Sequence, residues 1–405
     1  MKPIVRAGRM KPVHSDIRGP LFVEAMNRQK QGIDILKLNT GNPATFGFGL
    51  PDSIKNALME HMQDGVGYCD FKGMPQARQA ICDYETSKGI KGITPDDVFI
   101  GNGVSEVVSF ALTPLLNDGD EVLVPSPSYS LWGNSVYLED GKPVFYTCDE
   151  QANWYPDIQD IRSKITDKTK AIVIINPNNP TGVLYPKEIL LEIIQVAREF
   201  GLLIFADEIY DRLVMDGKQH ISLASLTEDV PVITLNGLSK SHCLCGYRCG
   251  WMVISGPREL TEDYRQGIIQ LTSLRLCANT MAQIVIPAAL DDMDTPASMV
   301  RPGGRIYEQR EATVRELEKI DGLSFVKNDA AFYVFPKLDV KKFNITNDKQ
   351  FAHDLLDATN ILLVPGSGFD WKDPDHFRIV MLPQADVLSD AIRRMGTFLD
   401  GYTQK

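Results

Sequence analysis

The chain has no surplus of positive charge: 42 Lys and Arg stand against 53 Asp and Glu, for a formal net charge of −11. Without a basic excess there is little to displace counterions from a polyanion, which excludes nucleic acid and an anionic membrane surface as partners. Long apolar runs are lacking as well. Neither the opening stretch MKPIVRAGRMKPVHSDIRGP nor any later segment reaches the roughly eighteen uncharged residues that a spanning helix needs, so a cytoplasmic protein is expected. Cysteine is sparse. The seven present (Cys69, Cys82, Cys148, Cys243, Cys245, Cys249, Cys277) are odd in number and scattered, unlike the dense even set of a small secreted domain, so reduced thiols are expected. The Asn344-Ile345-Thr346 sequon then carries no meaning. Ser- or Gly-rich linkers, internal repeats and low-complexity tracts are missing too.

What is present is a rhythm. At 405 residues a large domain with a smaller one is the natural expectation. Short apolar runs at Val98 to Ile100, Glu121 to Val124, Ala171 to Ile175, Leu202 to Ala206, Val232 to Leu235 and Trp251 to Ile254 suit strands buried on both faces of a mostly parallel sheet. Helical segments separate them; Pro186-Lys187-Glu188 opens one whose apolar residues Ile189, Leu190, Ile193, Ile194 and Ala197 precede a stop at Gly201. This predicts an α/β fold with helices flanking the sheet. From about residue 305 the texture changes to a charged helix (Tyr307 to Ile320), short strands (Ala331 to Phe335, Leu362 to Val364, Phe377 to Met381) and a terminal helix. That pattern predicts a smaller α+β part.

The segments after the strands are the informative ones. Ile100 leads into Gly101-Asn102-Gly103-Val104-Ser105-Glu106, Val124 into Pro125-Ser126-Pro127-Ser128-Tyr129, Ile175 into Asn176 to Gly182, Ala206 into Asp207-Glu208-Ile209-Tyr210, and Leu235 into Asn236 to Lys240. In an open parallel sheet ligands lie outside the carboxyl ends of the strands, so these stretches should converge. Each alone has an ordinary reading: a tight turn at Gly101 to Gly103, a helix cap at Asp207, a proline-stiffened turn at Asn176 to Gly182. Together they ask for a ligand with a phosphate, an aromatic ring bearing a basic nitrogen and a phenolic oxygen, and an aldehyde that a lysine can capture. Pyridoxal phosphate has these parts. Lys240, eight residues before Arg248, is the candidate nucleophile, with a cationic neighbourhood expected to depress its pKa. Asp207 is the candidate carboxylate that keeps the ring nitrogen protonated. A zinc site from His242, Cys243, Cys245 and Cys249 fails on spacing, since structural sites favour Cys-x2-4-Cys pairs with a second pair elsewhere; no metal is expected.

The same residues carry a family resemblance over essentially the whole length. Asp16-Ile17-Arg18-Gly19-Pro20, Leu38 to Ala44, Gly67 to Gly73, Gly101 to Glu106, Asn176 to Gly182, Ala206 to Tyr210, Ser239-Lys240 with Arg248 to Trp251, and Phe377 to Val380 resemble the fold-type I, pyridoxal-phosphate-dependent class I aminotransferases. The branch they most resemble is that of the alanine (glutamate–pyruvate) aminotransferases. The resemblance implies a large cofactor domain over residues 50–300 and a smaller domain built from residues 1–49 and 301–405. It implies that Lys240 forms the Schiff base and shuttles a proton, that Asp207 pairs with the ring nitrogen, and that Asn179 and Tyr210 bond the phenolic oxygen. Val104, Ser105, Ser239 and Arg248 would hold the phosphate, Tyr129 would stack on the ring, and Tyr68 would reach the phosphate of a neighbouring subunit in a homodimer with shared sites. Arg378 would clamp the substrate α-carboxylate, with Gly41 lying alongside, and Arg18 would meet the side-chain carboxylate of glutamate.

The implied reaction is ping-pong amino transfer between alanine with pyruvate and glutamate with 2-oxoglutarate. Transfer from other amino acids, or β-elimination from a cysteine-like substrate, are the alternatives on the same cofactor. A non-enzymatic effector role is disfavoured, because the residues ahead of Asn39 leave no room for a helix-turn-helix. The branch is expected to carry a tyrosine before Asp16, where Ser15 stands beside His14; this predicts a roomier pocket. The remaining cysteines Cys69, Cys82, Cys148 and Cys277 are expected to be buried small hydrophobes.

Overall fold

Residues 2–405 are described by the computed structural model. The six apolar runs become strands of one eight-stranded sheet: β1 (Val98–Asn102), β2 (Glu121–Ser126), β3 (Lys142–Asp149), β4 (Tyr155–Pro156), β5 (Thr169–Ile175), β6 (Leu203–Asp207), β7 (Val232–Gly237) and β8 (Cys249–Ser255), in the order β1-β8-β7-β6-β5-β2-β3-β4. From β3 through β2, β5, β6 and β7 the pairing is parallel. The strand β8, read from its sequence as one more member of a mostly parallel sheet, runs antiparallel to both its neighbours, β1 and β7. The sequence reading had no strand at β3. Its burial alternates and it opens on Lys142-Pro143, so it lacks the continuous apolar run that marks the central strands.

Alternation across the pleat sends the two halves of each strand to two cores. Ile172, Ile174, Ile204 and Ala206 pack with Leu190, Ile193 and Ile194 of the helix Lys187–Phe200. Ala171, Val173, Ile175, Phe205 and Leu235 pack on the other face with Val107, Val108 and Ala111 of the helix Val104–Leu112 and with Ile268 of the helix Arg258–Arg275. Each such Val, Leu, Ile or Phe side chain stabilises the fold by ~1.5–3 kcal/mol through burial, so the sheet is a stiff platform for the loops at its ends. The helix Lys187–Phe200 follows Pro186 and stops at Gly201, whose φ of +67° suits glycine.

The C-terminal part holds the helices Arg305–Leu317, Asp348–Thr359 and Ala385–Leu399 and a three-stranded antiparallel sheet in which Phe377–Val380 lies between Tyr333–Val334 and Val364–Pro365. The charged helix begins and ends slightly earlier than the sequence reading had it. N-terminal residues are stitched onto this part: Leu36–Lys37 pairs in parallel with Ile361–Leu362, and the Val380 amide donates to the Leu38 carbonyl at 3.0 Å. Among the described residues no single helix is long and apolar enough to cross a membrane.

Candidate active site

Register explains why the strand-end loops meet. Ile175 pairs with Asp207 and Asp207 with Leu235, so the chain leaves β5 and β6 level with one another, beside the last residues of β7, at one edge of the sheet. Beside them, Gly101, Gly250 and Gly237 pair in register across β1, β8 and β7. A side chain at Gly250 would strike the Val104 amide at 2.4 Å, and one at Gly237 the Cys249 carbonyl at 2.6 Å.

Asp207 is buried, and its Oδ2 accepts from the indole N–H of Trp132 at 3.0 Å. Burial pushes its carboxyl up to about 6; the Trp132 and Ile209 N–H groups work against that rise, Glu208 adds to it, and the Lys240 ammonium opposes it. Asp207 and Lys240 thus sense one another's charge across the same site. The Lys240 ammonium donates to the Gly41 carbonyl at 2.9 Å. Burial works against its charged form, yet Tyr333, Cys245 and Tyr129 together lift its pKa above the ordinary lysine value, with Arg378 opposing them. This corrects the expected depression. The cation that bears on Lys240 is Arg378, not the Arg248 expected from the chain, and the surrounding phenols and thiol outweigh it.

Arg378 sits at 1 % exposure. One Nη donates to the Asn179 amide oxygen at 3.0 Å and the other to the Asn39 carbonyl. Because a guanidinium only donates, Asn179 must turn its oxygen to Arg378 and keep its Nδ2 for another acceptor. The rings of Tyr333 and Phe369 each lie 4.6 Å from the guanidinium, which they sandwich. Its Nε has no hydrogen-bond partner, and among the described residues no carboxylate pairs with it. A buried cation left this way is a receptor for an anion. Burial accordingly pushes the Arg378 pKa down. Gly41 lies alongside: a Cβ there would meet the Tyr333 hydroxyl at 2.3 Å.

A second anion cradle lies at the start of the helix Val104–Leu112. Gly103, at φ +84°, turns the chain so that the amides of Val104 and Ser105 open the helix without intrahelical acceptors. The Glu106 carboxylate instead accepts the Asn102 amide at 2.7 Å, keeping the turn closed. The Arg248 guanidinium lies over this turn: a Cβ on Gly103 would come within 2.3 Å of it. Ser239 is half-buried. Tyr129 is 37 % exposed and bears on the charge of both Lys240 and Arg378, which puts it at the mouth between them.

Two predicted residues stand apart. Tyr68 is 85 % exposed, so within one chain it reaches nothing in the site. Arg18 is exposed, and the neighbouring Asp16 pairs with Lys349 at 3.2 Å. Two residues escaped the sequence reading: Trp132, which holds Asp207, and Tyr333, whose hydroxyl hydrogen-bonds that of Tyr210 at 2.8 Å. An indole three residues after Tyr129 and the Phe332-Tyr333 doublet were the available signals.

The cysteines around Lys240 point apart. Cys249 lies in β8, the Cys243 thiol faces Met299, and the Cys245 thiol donates to the Ser239 carbonyl at 2.9 Å. Burial pushes the thiols of Cys243 and Cys249 up to about 12, which leaves them unreactive. Cys82 and Cys148 are buried as expected, whereas Cys69 and Cys277 are only half-buried.

The class I and II aminotransferase family matches residues 33–394. A glutamate-pyruvate aminotransferase AlaA of Haemophilus influenzae is 49% identical over 404 residues, covering 100% of both chains. An alanine aminotransferase of Mycobacterium tuberculosis is 45% identical, covering 100% of this chain and 94% of its own. Among solved structures, an aminotransferase from Escherichia coli superposes with a TM-score of 0.98 at 46% identity over 100% of both chains. An alanine aminotransferase from Pyrococcus furiosus gives 0.92 at 40% identity, over 98% of this chain and 100% of that one.

Proposed function

The chain belongs to the class I and II aminotransferases, and from that premise we propose that it is a pyridoxal-phosphate-dependent enzyme that moves an amino group between L-alanine with pyruvate and L-glutamate with 2-oxoglutarate. The residues present fit the cofactor: a lysine amine, a carboxylate for a ring nitrogen, an amide and guanidinium cradle for a phosphate, and a glycine row where side chains would intrude. When bound, pyridoxal phosphate supplies an aldehyde that condenses with amines and a cationic ring that withdraws electrons from the substrate α-carbon.

The chain does the rest. Asp207, held by Trp132, keeps a proton on the ring nitrogen once ionised. Tyr210, held by Tyr333, and the Nδ2 of Asn179 donate to the phenolic oxygen. The Val104 and Ser105 amides, the Ser239 hydroxyl and Arg248 bind the phosphate, and Tyr129 stacks on the ring. Lys240, whose ammonium donates to the Gly41 carbonyl at 2.9 Å and feels the charge of Arg378, would move a proton from the α-carbon of a substrate whose carboxylate Arg378 holds. Arg378 grips that α-carboxylate as a planar fork, and Arg18 meets the second carboxylate of glutamate. The observation that carries this reading is Arg378, a buried guanidinium with no acidic partner among the described residues.

The same reading takes residues 50–300 as the large domain and 1–49 with 301–405 as the small one, supported by the pairing of Leu36–Lys37 with Ile361–Leu362. It also takes the working unit as a homodimer. Tyr68, Met59, Met62, Val66 and Leu274 are all more than half exposed and offer a second copy an apolar face from which Tyr68 can enter the neighbouring site. The test is a half-reaction: cofactor-loaded protein is mixed with single amino acids and its absorbance followed. L-alanine and L-glutamate should each convert it to the amine form. Pyruvate and ammonia released from L-cysteine without an oxo-acid acceptor would favour β-elimination instead.

A further inference from the structure

One cluster of buried charge takes no part in the steps above. Lys88 follows the helix Pro75–Ser87, and its ammonium lies 2.7 Å from Glu85, 2.8 Å from Glu208 and 3.2 Å from Asp211. The three carboxylates are closed in by further donors. Glu208 accepts from the Ser222 hydroxyl at 2.8 Å and the Leu223 amide at 3.1 Å. Asp211 accepts from the Tyr84 hydroxyl at 2.6 Å and the Asn236 amide at 2.7 Å, and Glu85 from the Trp251 indole at 3.2 Å. His220 faces Glu208 at 4.0 Å, and the Arg212 guanidinium lies 4.3 Å from the Tyr84 ring.

The chain order of these partners matters. Within Asp207-Glu208-Ile209-Tyr210-Asp211, the first and fourth side chains face the site, where they meet Trp132 and Tyr333, while the second and fifth turn to Lys88. Asn236, tied to Asp211, also accepts the Gly237 amide at 2.7 Å, three residues before Lys240. We propose that Lys88 is a positioning residue for the reaction: by gripping Glu208 and Asp211 it fixes the turn whose opposite face presents Asp207 and Tyr210, and through Asn236 it steadies the strand that delivers Lys240. The inference rests on the cofactor reading of the site. It has an electrostatic side as well. Glu208 bears directly on Asp207, so the Lys88 ammonium that neutralises Glu208 also keeps Asp207 ionised. The other groups bearing on Asp207 are Lys240, the Trp132 indole and the Ile209 amide.

The experiment measures the dissociation constant of pyridoxal phosphate across pH 5 to 9 for the full chain and for Lys88→Met and Glu208→Gln. Lys88→Met should weaken binding about tenfold and move the acid limb of the profile up by roughly one pH unit, because Glu208 loses its counter-charge. Glu208→Gln should move that limb down by roughly half a unit. A merely structural role would lower the thermal midpoint and leave the limb in place, and that result overturns the proposal. If Lys88→Met does not fold, Glu208→Gln decides: a limb that stays or rises overturns it. Wild-type protein that binds no pyridoxal phosphate overturns the cofactor reading and this inference with it, whereas normal wild-type binding with unshifted variants overturns only the role of Lys88.

Discussion

Arg378 and Lys88 are both cations folded into the interior, and the fold treats them in opposite ways. Arg378 is met by an amide oxygen, a carbonyl and two aromatic faces, with no carboxylate among the described residues. Lys88 has three carboxylates within 3.2 Å. A buried charge without a counter-charge is a standing destabilisation that an incoming anion would relieve, which is why a receptor role is proposed for Arg378. A cation whose partners are already in place has nothing left to bind. What it holds is the backbone on which those partners sit.

The sharpest way to break this contrast is to remove each charge in turn. Lys88→Met should lower folding stability by about 4 kcal/mol, since it strands buried carboxylates, and a denaturant midpoint measures it. Arg378→Met should do the converse, leaving stability unchanged or raised while kcat/KM for L-alanine falls about a hundredfold to a thousandfold, or ~3–4 kcal/mol. An unaltered Michaelis constant for every amino acid would remove Arg378 from its role.

Asp207 sharpens the contrast from the acidic side. Its folded value of about 6 lies above the ordinary 3.8, so the fold favours its protonated form. The cofactor-free protein therefore carries its full stability, as far as this group goes, below about pH 3.8 and loses part of it as pH rises through 6. Asp207→Asn should raise the stability of the cofactor-free protein at pH 8 by about 2 kcal/mol while turnover collapses. A drop in its melting temperature at that pH would contradict the account. The smallest effect is expected from the exposed Arg18: Arg18→Ala should reduce kcat/KM for L-glutamate about tenfold and leave L-alanine nearly untouched, as steady-state kinetics with both donors would reveal.

How much of this was legible beforehand follows the range of the interactions. Asp207, Lys240 and the Gly101 to Gly103 turn stand where apolar runs stop, and that punctuation is local. Strand direction is not, which is why the mostly parallel reading could not single out β8 as the antiparallel member; an apolar run looks the same in either direction. The strand β3 was missed because its alternating burial resembles a surface segment. Lys88 was invisible for a different reason. Its partners Glu208 and Asp211 lie more than a hundred residues downstream, and a lysine after a helix reads as an ordinary C-terminal charge. Tyr333 likewise gained its place only when a distant strand brought it to Tyr210.

The hydrogen bond from Trp132 to Asp207 turns an indole into an optical gauge. Tryptophan emission responds to a charge at its ring nitrogen, so this side chain should dim or brighten as the carboxyl titrates near pH 6 and again when a cationic heterocycle docks beside it. Trp251 donates to Glu85, whose carboxyl burial pushes up to about 7, and Trp371 packs on His376, so both respond in the same window. The difference in fluorescence between the unlabelled chain and Trp132→Phe isolates the Trp132 signal and follows occupancy and proton state in one cuvette.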